Sequence, residues 1–226
     1  MDMETTIDRR ALERLVHAIE ADVAKEIYDG AVVLVAHRGQ VALHEAVGFA
    51  ARCVPVVVRD RTKGLFDAAV LEGFNALLQE DTEIPAGGAV STAADLFRWA
   101  EMLRRGGELD GARVLSPAII RLATTNQTGL MPNDLFDYAR EMYGWPDFPA
   151  YLGLSFFLRG EGTFPSYFGL TASAGTFGGI GAGSTLFWVD PARELTFVCL
   201  TAGLLEEGRS CERFQRLSDL AIAAVG

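Results

Sequence analysis

Acyl transfer needs a hydroxyl nucleophile, a base to take its proton and donors to hold the oxyanion. The stretch Thr171-Ala172-Ser173-Ala174-Gly175 carries half of a Gly-x-Ser-x-Gly elbow. The leading glycine is replaced by Thr171, and a glycine-dense, strand-like stretch follows where the elbow calls for a helix. Ser173 therefore reads either as a nucleophile or as a loop hydroxyl bonded to backbone. A relay through histidine needs an imidazole beside the serine. His17, His37 and His44 all lie outside the glycine-rich and long-loop regions. His37, His44 and Cys53 lack a zinc spacing, so no metal site is expected. Gly178-Gly179-Ile180-Gly181-Ala182-Gly183 is not a dinucleotide fingerprint, because position 184 is serine and no helix signal follows. No cofactor is expected. The run reads better as a sheet edge where bare backbone approaches a ligand, with Gly179, Ile180, Gly181 and Ala182 as contacts. Trp145, Tyr151 and Tyr167, with Phe148, would line an apolar pocket or fill the core. Asp134, Asp137, Glu141 and Asp147 crowd one loop, where solvated charge competes with an acid–base role.

The elements that must position these residues follow from periodicity. Leu12, Leu15, Val16, Ile19 and Val23 recur at helical spacing and predict an amphipathic helix over residues 7–27. Residues 31–36, Ala-Val-Val-Leu-Val-Ala, are a continuous β-branched run and predict a central strand covered on both faces. Arg38-Gly39-Gln40 marks a turn, and residues 41–49 return as the second strand of a hairpin. A short extended stretch at 54–58, an apolar and helix-like 65–78 and a loop at 85–88 follow. Ser91-Thr92 with Asp95 starts a helix in the manner of a capping box, and Ser116-Pro117 starts a shorter one. Residues 126–150 show no period and read as a long loop. Strands are predicted at 152–158, 186–189 and 195–201, with a closing helix over 206–225. This order predicts an α+β fold: an antiparallel sheet of about five strands packed by the N- and C-terminal helices.

Composition bounds the partners. Of 226 residues, 50% are hydrophobic and 22% charged, which excludes a disordered chain. A net charge of −10 argues against non-specific binding to nucleic acid or an anionic membrane. Three unevenly spaced cysteines, Cys53, Cys199 and Cys211, make no disulfide framework. With no signal peptide or membrane span, a cytoplasmic location is expected.

Four phrases carry a family likeness: residues 31–48 (AVVLVAHRGQVALHEAVG), 85–95 (PAGGAVSTAAD), 106–117 (GGELDGARVLSP) and 181–191 (GAGSTLFWVDP). In that order they resemble the serine β-lactamase-like hydrolases, which include class C β-lactamases, DD-peptidases and related esterases. The resemblance implies a five-stranded antiparallel sheet between terminal helices, with an all-helical domain inserted after the second strand. It also implies three catalytic elements, and this chain departs from each. Ser-x-x-Lys fails because Lys25 and Lys63 are preceded three places earlier by Asp22 and Asp60. Tyr-x-Asn fails at Tyr28, Tyr138, Tyr143, Tyr151 and Tyr167. Lys/His-x-Gly would fall at Gly179-Ile180-Gly181, so its cation position is glycine.

The segment for the first two elements is expected to be deleted near residues 49–54, leaving a single β-lactamase-like domain over 1–226 without the helical insertion. The resulting expectation is a degenerate member that binds a small apolar ligand or partner in the residual cleft. Non-hydrolytic acid–base chemistry, of isomerase or cyclase type, would be compatible. The alternative is an active serine hydrolase or esterase with a relocated nucleophile, Ser173 or Ser184, beside the family's oxyanion strand. A backbone oxyanion donor needs no side chain and survives such losses. Loss of a domain uncovers apolar surface, so a homodimer or higher homo-oligomer is expected.

Overall fold

The longest apolar run in the sequence becomes the strand with the deepest burial. In the computed structural model, which describes residues 7–48, 91–181, 185–203 and 205–225, β1 (Gly30–His37) is buried at every position but Val32. It turns through Arg38 (φ 52°) and Gly39 (φ 78°) into β2 (Gln40–Gly48). Two successive positive φ angles match the right-handed twist of a tight hairpin. On its other side β1 pairs antiparallel with β8 (Leu195–Ala202), in register from Gly30↔Ala202 to His37↔Leu195. The sheet continues through β7 (Thr185–Asp190) and β6 (Phe177–Gly181) to β5 (Phe157–Leu158). The order is β2-β1-β8-β7-β6-β5, antiparallel throughout.

Helices cover both faces because alternate side chains of a strand point to opposite sides. Helices α1 (Arg9–Ala24) and α5 (Glu207–Ile222) lie on one face. There Leu12, Leu15 and Ile19 meet Phe214, Leu217, Val33, Val35, Trp188 and Phe197. The opposite face holds α2 (Ala93–Arg104), where Leu34, Ala36 and Val198 meet Ala93, and Phe177 and Val189 meet Ala100 and Leu103. Caps set the helix starts. Asp8 accepts from Arg10 N–H (2.9 Å) and Thr92 from Asp95 N–H (3.1 Å). Ser116 caps α3 (Pro117–Ala123) through Ile119 N–H (3.2 Å), and each such cap is worth about 1 kcal/mol. A two-stranded ribbon, β3 (Glu108–Leu109) and β4 (Ala112–Arg113), joins α2 to α3.

Three expectations change. Among the described residues the sheet has six strands, the extra one being the glycine-rich β6, which the sequence marks only as a sheet edge. The strand predicted over 152–158 shrinks to Phe157–Leu158, because Tyr151 (φ 48°) and Ser155 (φ 64°) turn the chain back on itself. Gly153 N–H then bonds Phe156 C=O at 2.9 Å. The loop at 126–150 contains a 3-10 turn (Asp134–Phe136) running into α4 (Asp137–Tyr143), closed by Gly144 at φ 67°. The predicted features at 54–58, 65–78 and 85–88, and the deletion near 49–54, lie outside the described residues.

Candidate functional site

β6 is the glycine-rich strand, and among the described residues its outer edge is only half covered. β5 pairs with Phe177 and Gly178 and goes no further. Arg159 N–H donates to the Thr176 carbonyl at 2.8 Å, which fixes which edge that backbone unit faces. Backbone groups alternate edges along an antiparallel strand. Gly178 and Ile180 therefore share Thr176's edge, and the Ile180 N–H and C=O lie beyond the last β5 partner. Gly179 and Gly181 turn their backbone toward β7, where they pair with Phe187 and Thr185. Of the predicted contacts, Ile180 presents its backbone at this edge and Gly179 and Gly181 do not; Ala182 and Ser184 lie outside the described residues.

The glycines here answer to packing. A Cβ on Gly179 would stand 2.6 Å from Phe187 Cε1, and one on Gly178 would stand 2.1 Å from the Phe187 carbonyl oxygen. Phe187 packs toward α2 with Phe177 and Val189. The half-buried ring thus fills the space beside Gly179 in which a longer residue would begin. Ile180 faces the other way, against the Trp188 core.

Ser173 sits in a polar knot below this strand. Its N–H donates to Asp190 Oδ2 (3.0 Å), and the Arg193 guanidinium donates to its Oγ. Arg193 also bonds Asp190 Oδ2 (3.0 Å), while Asp190 Oδ1 accepts from the Ala192 and Arg193 N–H groups, both at 3.1 Å. Burial pushes the fully enclosed Asp190 carboxyl up, but the hydrogen bonds from Ser173 and Arg193 outweigh it and hold the group below its ordinary value. A carboxylate held that low is a poor proton acceptor. The histidines are remote. His44 is exposed on β2, four strand spacings from β6, or about 19 Å. His37 ends β1, and His17 Nδ1 contacts Glu13 C=O (2.7 Å) on α1.

The three predicted aromatics are linked through intermediates. Trp145 and Tyr167 each contact Phe136, at 5.9 and 5.6 Å between ring centroids. Phe136 contacts Phe148 (5.5 Å), Phe148 stacks on Phe164 (5.6 Å), and Phe164 stacks on Tyr151 (5.8 Å). Tyr167 is buried and its hydroxyl donates to Glu207. Burial pushes the Glu207 carboxyl above its ordinary value. Tyr151 instead borders an open groove of about 430 Å³, with Thr124, Asn126, Leu158, Gly160 and Thr176.

Two residues here escape sequence reasoning. Glu207 looks like a first-turn helix charge until the fold half-buries it against Tyr167. Arg159 looks like a solvent-facing arginine beside two glycines. It is buried, over the Phe164 ring at 4.9 Å. Its guanidinium donates to the carbonyls of Gly169 (2.9 Å), Gly162 (2.9 Å), Leu170 (3.3 Å) and Gly160 (3.4 Å). Those bonds tie the 160–170 loop to the end of β5 and hold Phe164 in the aromatic chain. Asp134, Glu141 and Asp147 are exposed, and Asp137 pairs with Arg140. Among the described residues no three of His, Cys, Asp and Glu gather as metal ligands, and no helix is long and apolar enough to cross a membrane.

A six-stranded antiparallel sheet with both terminal helices on one face and a glycine-rich strand near its edge makes this an α+β protein of β-lactamase-like architecture. The chain belongs to the β-lactamase family, whose sequence profile matches residues 52–221. It is 30% identical over 139 residues to the esterase/β-lactamase LipL of Mycobacterium tuberculosis. That match covers 61% of this chain and 27% of LipL, so the chain spans about a quarter of this relative's length. Among solved structures it is similar to a β-lactamase from Mycobacterium bovis (TM-score 0.60, 19% identity, 94% of this chain and 98% of that one). A candidate β-lactamase from Bacteroides dorei is similar too (TM-score 0.62, 14% identity, 97% of this chain and 99% of that one). At such identities these likenesses show the fold alone.

Proposed function

We propose that this chain is a non-hydrolytic member of the family that binds a small apolar molecule along the β6 edge and the neighbouring aromatic groove. The observation that carries this reading is Gly179 beneath the Phe187 ring: the family's Lys/His position has no side chain, and its first carbon would stand 2.6 Å from that ring. The absence of Ser-x-x-Lys and Tyr-x-Asn from the sequence supports it. So does the knot that engages Ser173 with Arg193 and Asp190. Among the described residues no lysine or histidine hydrogen-bonds a serine hydroxyl to take its proton. The Tyr167–Glu207 pair supplies a carboxyl displaced upward, the property an acid–base step such as isomerisation would need. We further propose that the chain is a single β-lactamase-like domain that acts in the cytoplasm and pairs with a second copy.

The experiment is the intact mass of the protein after exposure to penicillin and to a fluorophosphonate. The expected result is no covalent adduct and no turnover of nitrocefin or p-nitrophenyl esters above a denatured control. A stoichiometric adduct overturns the reading. A second reading is favoured by the likeness to LipL, an esterase/β-lactamase: a serine hydrolase with Ser173 or Ser184 as relocated nucleophile and a β6 amide as oxyanion donor. It requires turnover that is lost in Ser173→Ala or in Ser184→Ala.

A further inference from the structure

The groove beside Tyr151 lies where the end of α3 meets the end of β5, next to the start of β6. It measures about 430 Å³, enough for a small molecule. We propose that the ligand seated there carries a protonated amine on its apolar body. This deepens the reading above and rests on the groove being the binding site. Glu161 is the one charged residue of the lining, and no lysine, arginine or histidine joins it. Its side chain is exposed and makes no ion pair or hydrogen bond among the described residues. Arg159 neighbours Gly160 in sequence, but its guanidinium is spent on carbonyls of the 160–170 loop, and the Asp219 carboxylate opposes its charge. The charge left at the groove is therefore negative, as is that of the whole chain at −10.

The neutral groups of the lining lean the same way. Tyr151 Oη gives its proton to the Glu161 carbonyl (3.2 Å), and Thr124 Oγ1 gives its own to the Ile120 carbonyl (2.9 Å). Both oxygens then offer only lone pairs. Asn126 is turned onto its own loop, where Oδ1 accepts from Thr128 and Nδ2 donates to Gly129, which leaves it one amide N–H. Thr176 is the one fully buried residue of the lining, and its Oγ1 has no hydrogen-bond partner among the described residues. A buried hydroxyl without a partner is costly, and a donor on a ligand relieves that cost. An ammonium brings three donors and no acceptor, the complement of a carboxylate and three hydroxyl oxygens. An anionic head would meet carboxylate and lone pairs instead. Leu158, Ala174 and the Tyr151 ring supply the apolar wall, which suits a hydrocarbon body. That wall is fixed in advance. Tyr151, at φ 48°, packs on Gly160, at φ 62°, where a Cβ would stand 2.4 Å from the ring.

Calorimetric titration with 2-phenylethylammonium tests the assignment, with 2-phenylethanol and 3-phenylpropanoate as probes of similar body. Saturable one-to-one binding of the ammonium is expected, with the alcohol about tenfold weaker and the carboxylate failing to saturate. Glu161→Gln removes an exposed charge that no internal contact uses. It is expected to weaken the ammonium about fivefold or more and to leave the alcohol unchanged. Thr176→Val removes a hydroxyl that bonds nothing in the described chain, and is expected to weaken the ammonium several-fold without loss of stability. A Cβ on Gly175 meets nothing within 4 Å. Gly175→Lys therefore sets a competing cation at the groove without strain, and is expected to abolish ammonium binding at an unchanged melting temperature. Failure of the ammonium to saturate at about 10 mM overturns the proposal, as does an affinity indifferent to Glu161→Gln. Equal binding of the alcohol overturns the amine alone and leaves an apolar ligand in the groove. A fluorophosphonate adduct overturns the non-hydrolytic reading and leaves the ammonium titration untouched, so either can fail alone.

Discussion

At the scale of single residues, Gly179 and Phe187 act as one unit. Gly179→Lys, which sets a cation where the resemblance expects one, forces a side chain into the Phe187 ring. A destabilisation of about 1–3 kcal/mol is expected from overpacking, read as a fall in the denaturation midpoint, with no gain of hydrolysis. Phe187→Ala in the same chain should recover part of that loss, whereas independent, additive effects would show that the ring does not set the limit. Asp190 and Glu207 give opposite pH signatures. The Asp190 carboxyl is held below its ordinary value when folded, so its contribution is full above that ordinary value and disappears as pH falls through the folded one. Asp190→Asn should therefore be less stable than the parent at neutral pH, with the gap closing in acid below about pH 4. Glu207 is displaced upward by burial, so its folded form is favoured while protonated and penalised as pH rises past the ordinary glutamate value. Glu207→Gln should gain stability at neutral pH and none in acid. Parallel pH curves for the two variants would contradict both assignments.

At the scale of elements, legibility followed the kind of signal each segment carries. The run in β1, the stripes of α1 and α5 and the caps at Thr92 and Ser116 are local patterns with one physical solution. Helix α4 has no such pattern. Its apolar Tyr138 and Met142 face outward, and Ala139 is its one buried residue, so only Gly144 and good helix formers mark it. The fragment β5 is defined by its partner and by two positive-φ residues, neither of which a single sequence displays. The glycine edge was legible as bare backbone, but not the ring that requires Gly179. Arg159 was illegible because its hydrogen-bond acceptors are carbonyls, which every residue possesses. Helix contacts offer a further test. A Cβ on Gly208 would stand 2.4 Å from the Tyr143 ring and 3.0 Å from Ala139 Cβ. Gly208→Ala should push α4 off α5 and cost about 1–3 kcal/mol, despite alanine's better helix propensity. A rise in melting temperature would show that α4 yields freely.

At the scale of the whole molecule, one segment is rich in apolar residues left outside, while others, such as Val41, Trp99 and Val114, are scattered. Leu130 is 78% exposed and Met131 64%, followed by Leu135, Tyr138 and Met142. That segment is where the proposed pairing with a second copy would find contact area. Light scattering at micromolar concentration should give the mass of a dimer, and Leu130→Ser with Met131→Ser should shift it toward a monomer. A monomeric mass in the parent protein overturns the pairing.

The pairing of β1 with β8 also governs how the molecule is made. The β1–β2 hairpin is local and can form as soon as it leaves the ribosome. One long edge of β1 is completed only by β8, and the face over Val33 and Val35 only by the Phe214 and Leu217 side of α5. Both lie far along the chain from β1. Such non-local closure slows folding. Until β8 and α5 have been made, the nascent chain carries its most deeply buried strand with an open edge, the kind of surface through which partly folded chains aggregate.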